Sequence, residues 1–200
     1  MMRFAAIMAV LALSLSTVQA GKFNKVINPG DKAPTFEKLM GTDEKEHSSS
    51  EFKKDVVVVI VTCNKCPMAI AYEDRMIEFT KKYSGKVDVV AINVNNADAD
   101  KLDKMIERSK EKGFNYTYLY DPSQKIAMAL GAARTPEFFV LNKAREVVYM
   151  GSFDDGNSAE DVTKTYVVDA VEAALAGKTP KVQETAARGC GVQFEKKSKE

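Results

Sequence analysis

Residues Val56 to Thr62 read Val-Val-Val-Val-Ile-Val-Thr, and the next five are Cys63-Asn64-Lys65-Cys66-Pro67. Six aliphatic residues and a threonine, with no polar alternation, predict a strand buried on both faces, as in the middle of a parallel sheet. Such a strand needs helices on either side of the sheet, which restricts the chain to α/β architectures. The two thiols fall two residues apart where the strand ends and a helix is expected to begin, the arrangement of a dithiol/disulfide redox site. A helix starting just after Cys63 would place that thiol beside unpaired backbone N–H groups and the positive end of the dipole. Both favour thiolate, and in Cys-x-x-Cys sites the pKa falls to about 3.5–7.5. Cys63 is therefore expected to be the nucleophile and Cys66 the resolving thiol, with Lys65 adding positive charge and Pro67 suiting the first helical turn.

The first twenty residues follow a different logic. Arg3 precedes an apolar stretch from Phe4 to Leu15, and Val18-Gln19-Ala20 has the small-residue pattern of a cleavage site. This predicts a signal peptide over 1–20, a domain over 21–180 and a tail over 181–200 that carries Cys190. No later segment has about 18 consecutive apolar residues, so no membrane span is expected. Without Arg3 the chain carries 28 basic and 28 acidic residues, and no basic stripe suggests nucleic acid. Cys63, Cys66 and Cys190 are the only cysteines, too few for a disulfide scaffold in an exported protein.

Elsewhere strands and helices alternate. Short strands are expected at Phe36 to Leu39, Val87 to Ile92 and Tyr116 to Tyr120, and helices at Pro67 to Tyr83, Asp98 to Lys112, Pro122 to Leu130 and Ala159 to Ala176. Glu137 to Leu141 and Glu146 to Gly151 read as an antiparallel hairpin. From Lys178 the chain is expected to be irregular. Thr135-Pro136 stands just before the hairpin, where a cis peptide could open an edge strand.

Cys63-Asn64-Lys65-Cys66, with Thr135-Pro136 before the hairpin, resembles the thioredoxin-like superfamily. Gly30-Asp31-Lys32-Ala33-Pro34-Thr35-Phe36 is similar to the opening of its AhpC/TSA and redoxin branch. The resemblance spans about Asn28 to Phe194. It implies a three-layer α/β/α sandwich with a mixed central sheet and an N-terminal extension. It further implies an exported thiol-disulfide oxidoreductase with Cys63 exposed, Cys66 buried, and Pro136 packed against the pair. Substrates would be protein disulfides or dithiols, with a thiol electron donor and no cofactor, metal or nucleic acid.

The chain departs from that pattern in several places. It has no Trp, and Thr62 stands before the first cysteine. No acid lies on the preceding strand, so Glu73 is the nearest candidate proton relay, or else an ion-pair partner of Arg75. Cys190, between two glycines, reads either as a third redox thiol exchanging with Cys63 or as a free or intermolecularly paired thiol. The alternative activity is an AhpC/TSA-type thiol peroxidase, although Thr62 directly adjoins Cys63 and only Arg134 lies near Pro136. A metal-binding or copper-delivery module is the third reading. It has only three cysteines and His47 to draw on, and a structural zinc site takes four ligands.

Overall fold

A computed structural model describes residues 21–195; the expected signal peptide lies outside them. The aliphatic run forms β3 (Val56–Thr62), buried along its whole length. Its side chains alternate between two cores, as a period of two requires. Val56, Val58 and Ile60 pack with Tyr72, Phe79, Phe138 and Phe153 on one face. Val57, Val59 and Val61 pack with Ile126, Leu130 and Phe139 on the other.

The sheet is built outward from this strand. β4 (Val87–Asn93) pairs parallel with β3, and β5 (Thr117–Tyr120) parallel with β4. On the other side β7 (Glu137–Leu141) runs antiparallel to β3, and β8 (Val147–Gly151) completes the hairpin. β1 (Leu39–Gly41) and β2 (Glu46–His47) close the far edge, giving the order β2-β1-β5-β4-β3-β7-β8. Helices α1 (Pro67–Lys82), α2 (Leu102–Lys112) and α4 (Tyr166–Leu175) contribute to the first core. Helix α3 (Lys125–Leu130) and Ile27 cover the second. This is the expected three-layer α/β/α sandwich on a mixed sheet.

Several boundaries differ from the sequence reading. The first strand starts at Leu39 rather than Phe36. Asp98–Asp100 is a separate 3-10 turn before α2, and α3 starts only at Lys125. The last helix begins at Tyr166, not Ala159. The reason is local: the Asp155 carboxylate accepts from the backbone N–H groups of Thr163 and Lys164 and from the Thr163 hydroxyl, fixing that segment as a loop. Nor is the chain after Lys178 irregular. Met150 N–H donates to Gln183 O and Thr185 N–H to Met150 O. Cys190–Gly191 then forms β9, antiparallel to β6 (Arg134–Thr135).

At the β1–β2 edge His47 sits between two carboxylates, with Nε2 3.0 Å from Asp43 and Nδ1 2.9 Å from Glu51. Burial pushes its pKa down, but the bonds to Asp43 and Glu51 outweigh this and leave it raised. A raised pKa means the stabilisation is fully present below the ordinary histidine value, about 6.5, and fades as pH rises through the folded value. Urea unfolding should therefore show His47→Gln costing stability at pH 5.5 and markedly less at pH 8.5. A second expectation concerns the central strand: Ile60→Ala, at 1% exposure, should lower unfolding free energy by about 2–5 kcal/mol.

Candidate active site

β3 ends at Thr62, and Cys63 leaves the sheet from there. The helix does not start directly after Cys63. Cys66 is the N-cap of α1 and Pro67 its first residue, because proline's missing N–H is tolerated only at the helix start. The thiol nearest the unpaired N–H groups is thus Cys66, a correction to the sequence reading. The expected exposure of Cys63 is corrected too. Cys63 is 4% and Cys66 2% exposed, and all three cysteines are free thiols.

One residue gathers them. Thr135–Pro136 is cis, and both residues are buried. Cys63 Sγ lies 3.2 Å from Thr135 Oγ1, and Cys66 Sγ donates to Thr135 O at 2.9 Å. From the other side Cys190, paired in register with Thr135, donates its backbone N–H to Cys66 Sγ at 3.3 Å. Cys190 itself is exposed.

These surroundings act differently on the three sulfurs. Burial raises the Cys63 pKa, against the pull of the Thr135 hydroxyl and the Cys66 backbone N–H. The negative charge of Asp100 adds to the rise. Burial also raises Cys66, but the Cys190 thiol and the N–H groups of Ala69, Cys190 and Met68 outweigh it, and the balance is downward. Cys190 is pushed up to about 11, first by its hydrogen bond to Cys66 and then by burial. Of the three sulfurs, Cys66 is therefore the one whose ionisation the site favours.

Between the cysteines, Asn64 is locked on three sides. Its N–H donates to Asp100 Oδ1 at 2.6 Å, its side-chain amide donates to Ala99 O, and its carbonyl accepts from the Tyr118 hydroxyl at 2.7 Å. Asp100 and Tyr118 are the site residues that the sequence reading missed. Asp100 is 1% exposed and comes from the turn after β4, not from β3. Tyr118 belongs to the alternating tyrosines of β5, whose spacing gives no hint of a contact with Asn64. Lys65 and Pro67 are exposed and, with the three cysteines and Asn95, line a cleft of about 350 Å³. Thr62 is buried at the strand end.

Glu73 and Arg75 do not pair with each other. Arg108 forks onto Glu73 at 2.9 and 2.7 Å, while Arg75 pairs with Asp154 and lies over the Tyr72 ring. The i, i+2 spacing points the two side chains away from each other. Among the described residues no cluster of three or more His, Cys, Asp or Glu side chains could hold a metal, and no helix is long and apolar enough to cross a membrane.

The Redoxin family model matches residues 28–167. The chain belongs to the Redoxin family. Solved structures share this fold. One is a hypothetical protein from Sinorhizobium meliloti, 31% identical, covering 86% of this chain and 97% of that one, with a TM-score of 0.79. An uncharacterised conserved protein from Geobacillus kaustophilus is 27% identical over 88% of this chain and 96% of that one, with a TM-score of 0.80. A putative thiol:disulfide interchange protein DsbE from Chlorobium tepidum shares the fold at 23% identity, covering 62% and 84%, with a TM-score of 0.56. No match to a curated protein was found. Family and fold together make this Redoxin-family chain a thioredoxin-like redox protein, of the thiol-disulfide oxidoreductase or peroxidase kind.

The site makes a directional prediction about Cys63. Thr135→Val removes a bond that lowers its pKa, and Asp100→Asn removes a charge that raises it. Alkylation rates followed against pH should show Cys63 ionising at higher pH in the first variant and at lower pH in the second.

Proposed function

We propose that the protein is an extracytoplasmic thiol-disulfide oxidoreductase working through Cys63 and Cys66. The observation that carries this reading is the convergence of two free thiols, two residues apart, on Thr135 beside a cis proline. In the reducing direction Cys63, as thiolate, attacks a substrate disulfide. A Cys63–substrate bond forms and one substrate sulfur leaves as thiolate. Cys66 then attacks Cys63 Sγ, which releases the second substrate thiolate and leaves a Cys63–Cys66 disulfide. Two electrons pass from the dithiol to the substrate, and the reverse sequence oxidises a dithiol with the same atoms.

The order of attack is supported by access. Cys66 Sγ is hemmed by backbone from β6 and β9, whereas Cys63 Sγ meets the Thr135 hydroxyl and the N–H of Cys66 itself. Pro136 follows Thr135, the residue on which both thiols converge, through a cis bond. Lys65 and Pro67 form the outer rim of the cleft, where an extended protein segment would reach the sulfurs. Residues 1–20 support export, because their charged, apolar and small-residue order is that of a signal peptide; the oxidising compartment it leads to suits disulfide chemistry. The catalytic unit is then 21–180, with 181–200 as a tail.

A peroxidase is the competing activity within the family. The environment of Cys63 favours the dithiol reading: the charge that bears on it is the Asp100 carboxylate, and Arg134 is turned to Gly189 O.

Trapping separates the roles. Incubated with a disulfide-bonded protein such as insulin, Cys66→Ser should accumulate a mixed disulfide on Cys63, and Cys63→Ser should reduce no substrate. Accumulation on Cys66 in Cys63→Ser alone would reverse the order of attack. Undiminished peroxide turnover by Cys66→Ser would replace the reading with a peroxidase.

A further inference from the structure

The segment that carries Cys190 is fixed on both sides of the thiol. Upstream, Gln183 and Thr185 bond to Met150, and the Thr185 hydroxyl accepts the Ser152 N–H. Downstream, Val192 N–H donates to Ala133 O, and the buried Gln124 side-chain amide reaches Gln193 O at 2.9 Å. Between them Gly189 passes so close to β6 that a Cβ there would collide with Thr135 O, and its φ of +142° also favours glycine. The tail therefore holds one position of β9 against Thr135, and that position is a cysteine.

We propose that Cys190 is a third redox thiol whose partner is Cys66, and that a Cys66–Cys190 disulfide carries the oxidising equivalent from the buried pair to the surface. The proposal rests on the Cys63–Cys66 exchange above. Starting from that disulfide, the Cys190 thiolate attacks Cys66 Sγ. The Cys66–Cys190 bond forms, the Cys63–Cys66 bond breaks, and Cys63 leaves as thiolate and takes up a proton; nothing is oxidised or reduced overall. An external thiol reductant then attacks the exposed Cys190 sulfur and releases Cys66 as thiolate. A second reductant thiol resolves the mixed disulfide at Cys190, so two electrons enter the protein and the reductant leaves as a disulfide.

Three observations place Cys66, rather than Cys63, opposite Cys190. The Cys190 N–H is on Cys66 Sγ. Cys190 stands in register with Thr135, whose carbonyl accepts the Cys66 S–H. Cys63 is turned to the Thr135 hydroxyl instead. The high pKa of Cys190 belongs to the reduced site, because its first cause is Cys66. Once Cys66 is tied to Cys63 that push is gone, leaving burial, which still raises the pKa, opposed by the charge of Arg134. Exposure supplies the direction of travel: the paired sulfurs are almost inaccessible, and Cys190 is the thiol an outside reductant meets.

The test is disulfide mapping by mass spectrometry after oxidised-glutathione treatment and thiol blocking, on the wild-type protein, Cys63→Ser, Cys190→Ser and Gly189→Ala. Cys63→Ser should form an intramolecular Cys66–Cys190 disulfide. Gly189→Ala, with the tail displaced, should lose that bond but keep Cys63–Cys66. Reduction of oxidised Cys190→Ser by glutathione should slow by about tenfold or more, since only shielded sulfurs remain. If Cys63→Ser gives only glutathione adducts or dimers, or if Cys190→Ser is reduced as fast as wild type, the relay is overturned while the Cys63–Cys66 exchange stands. If the wild type forms no Cys63–Cys66 disulfide, the underlying exchange fails instead.

Discussion

The burial of β3 on both faces is the constraint from which the site follows. A strand with no polar side has to lie inside the sheet, between β4 and β7, with helices above and below. Its end is then fixed relative to its neighbours, and so is the residue that follows it. β7 brings Thr135 and Pro136 alongside, since the short strand β6 directly precedes it in the chain. The parallel neighbour β4 leads into the turn that carries Asp100. Cys63 thus emerges among groups whose positions are set by the ladder rather than by the loop that holds it.

Around this point the chemistry is one of competing effects. Burial favours protonated thiols at all three cysteines, and only at Cys66 do the surrounding donors win. Each of those donors has a structural origin. Met68 and Ala69 are the first N–H groups of α1 after a proline that has none. The Cys190 N–H comes from β9. The lowering of the Cys66 pKa therefore depends in part on the docking of a tail that lies outside the residues matched by the family model.

Much of this was legible in the sequence, where local pattern and tertiary context agree. Val56 to Thr62, the hairpin over Glu137 to Gly151, the cysteine pair and Thr135-Pro136 all stand where their patterns placed them. The reading lost ground where a distant side chain decides local structure. Ala159 to Thr165 carries helix-compatible residues, yet Asp155 captures its backbone and the helix waits until Tyr166. Glu73 finds Arg108 on another helix instead of Arg75 on its own. Asp100 reaches Asn64 across 36 residues, and β9 is too short and glycine-flanked to show a strand period. The helix start at Pro67 was legible, but its first N–H groups fall beside Cys66 rather than Cys63, which exchanges the surroundings expected for the two thiols.

The central claim is that Cys63 and Cys66 form a reversible two-electron couple. The most direct measurement is equilibration of the protein in glutathione buffers of graded ratio, with the Cys63–Cys66 disulfide quantified after acid quench and alkylation. The account predicts a single two-electron transition in which that disulfide appears and vanishes reversibly, about 30 mV of buffer potential shifting its equilibrium tenfold. Absence of the disulfide at every ratio, with both sulfurs alkylated throughout, would contradict it.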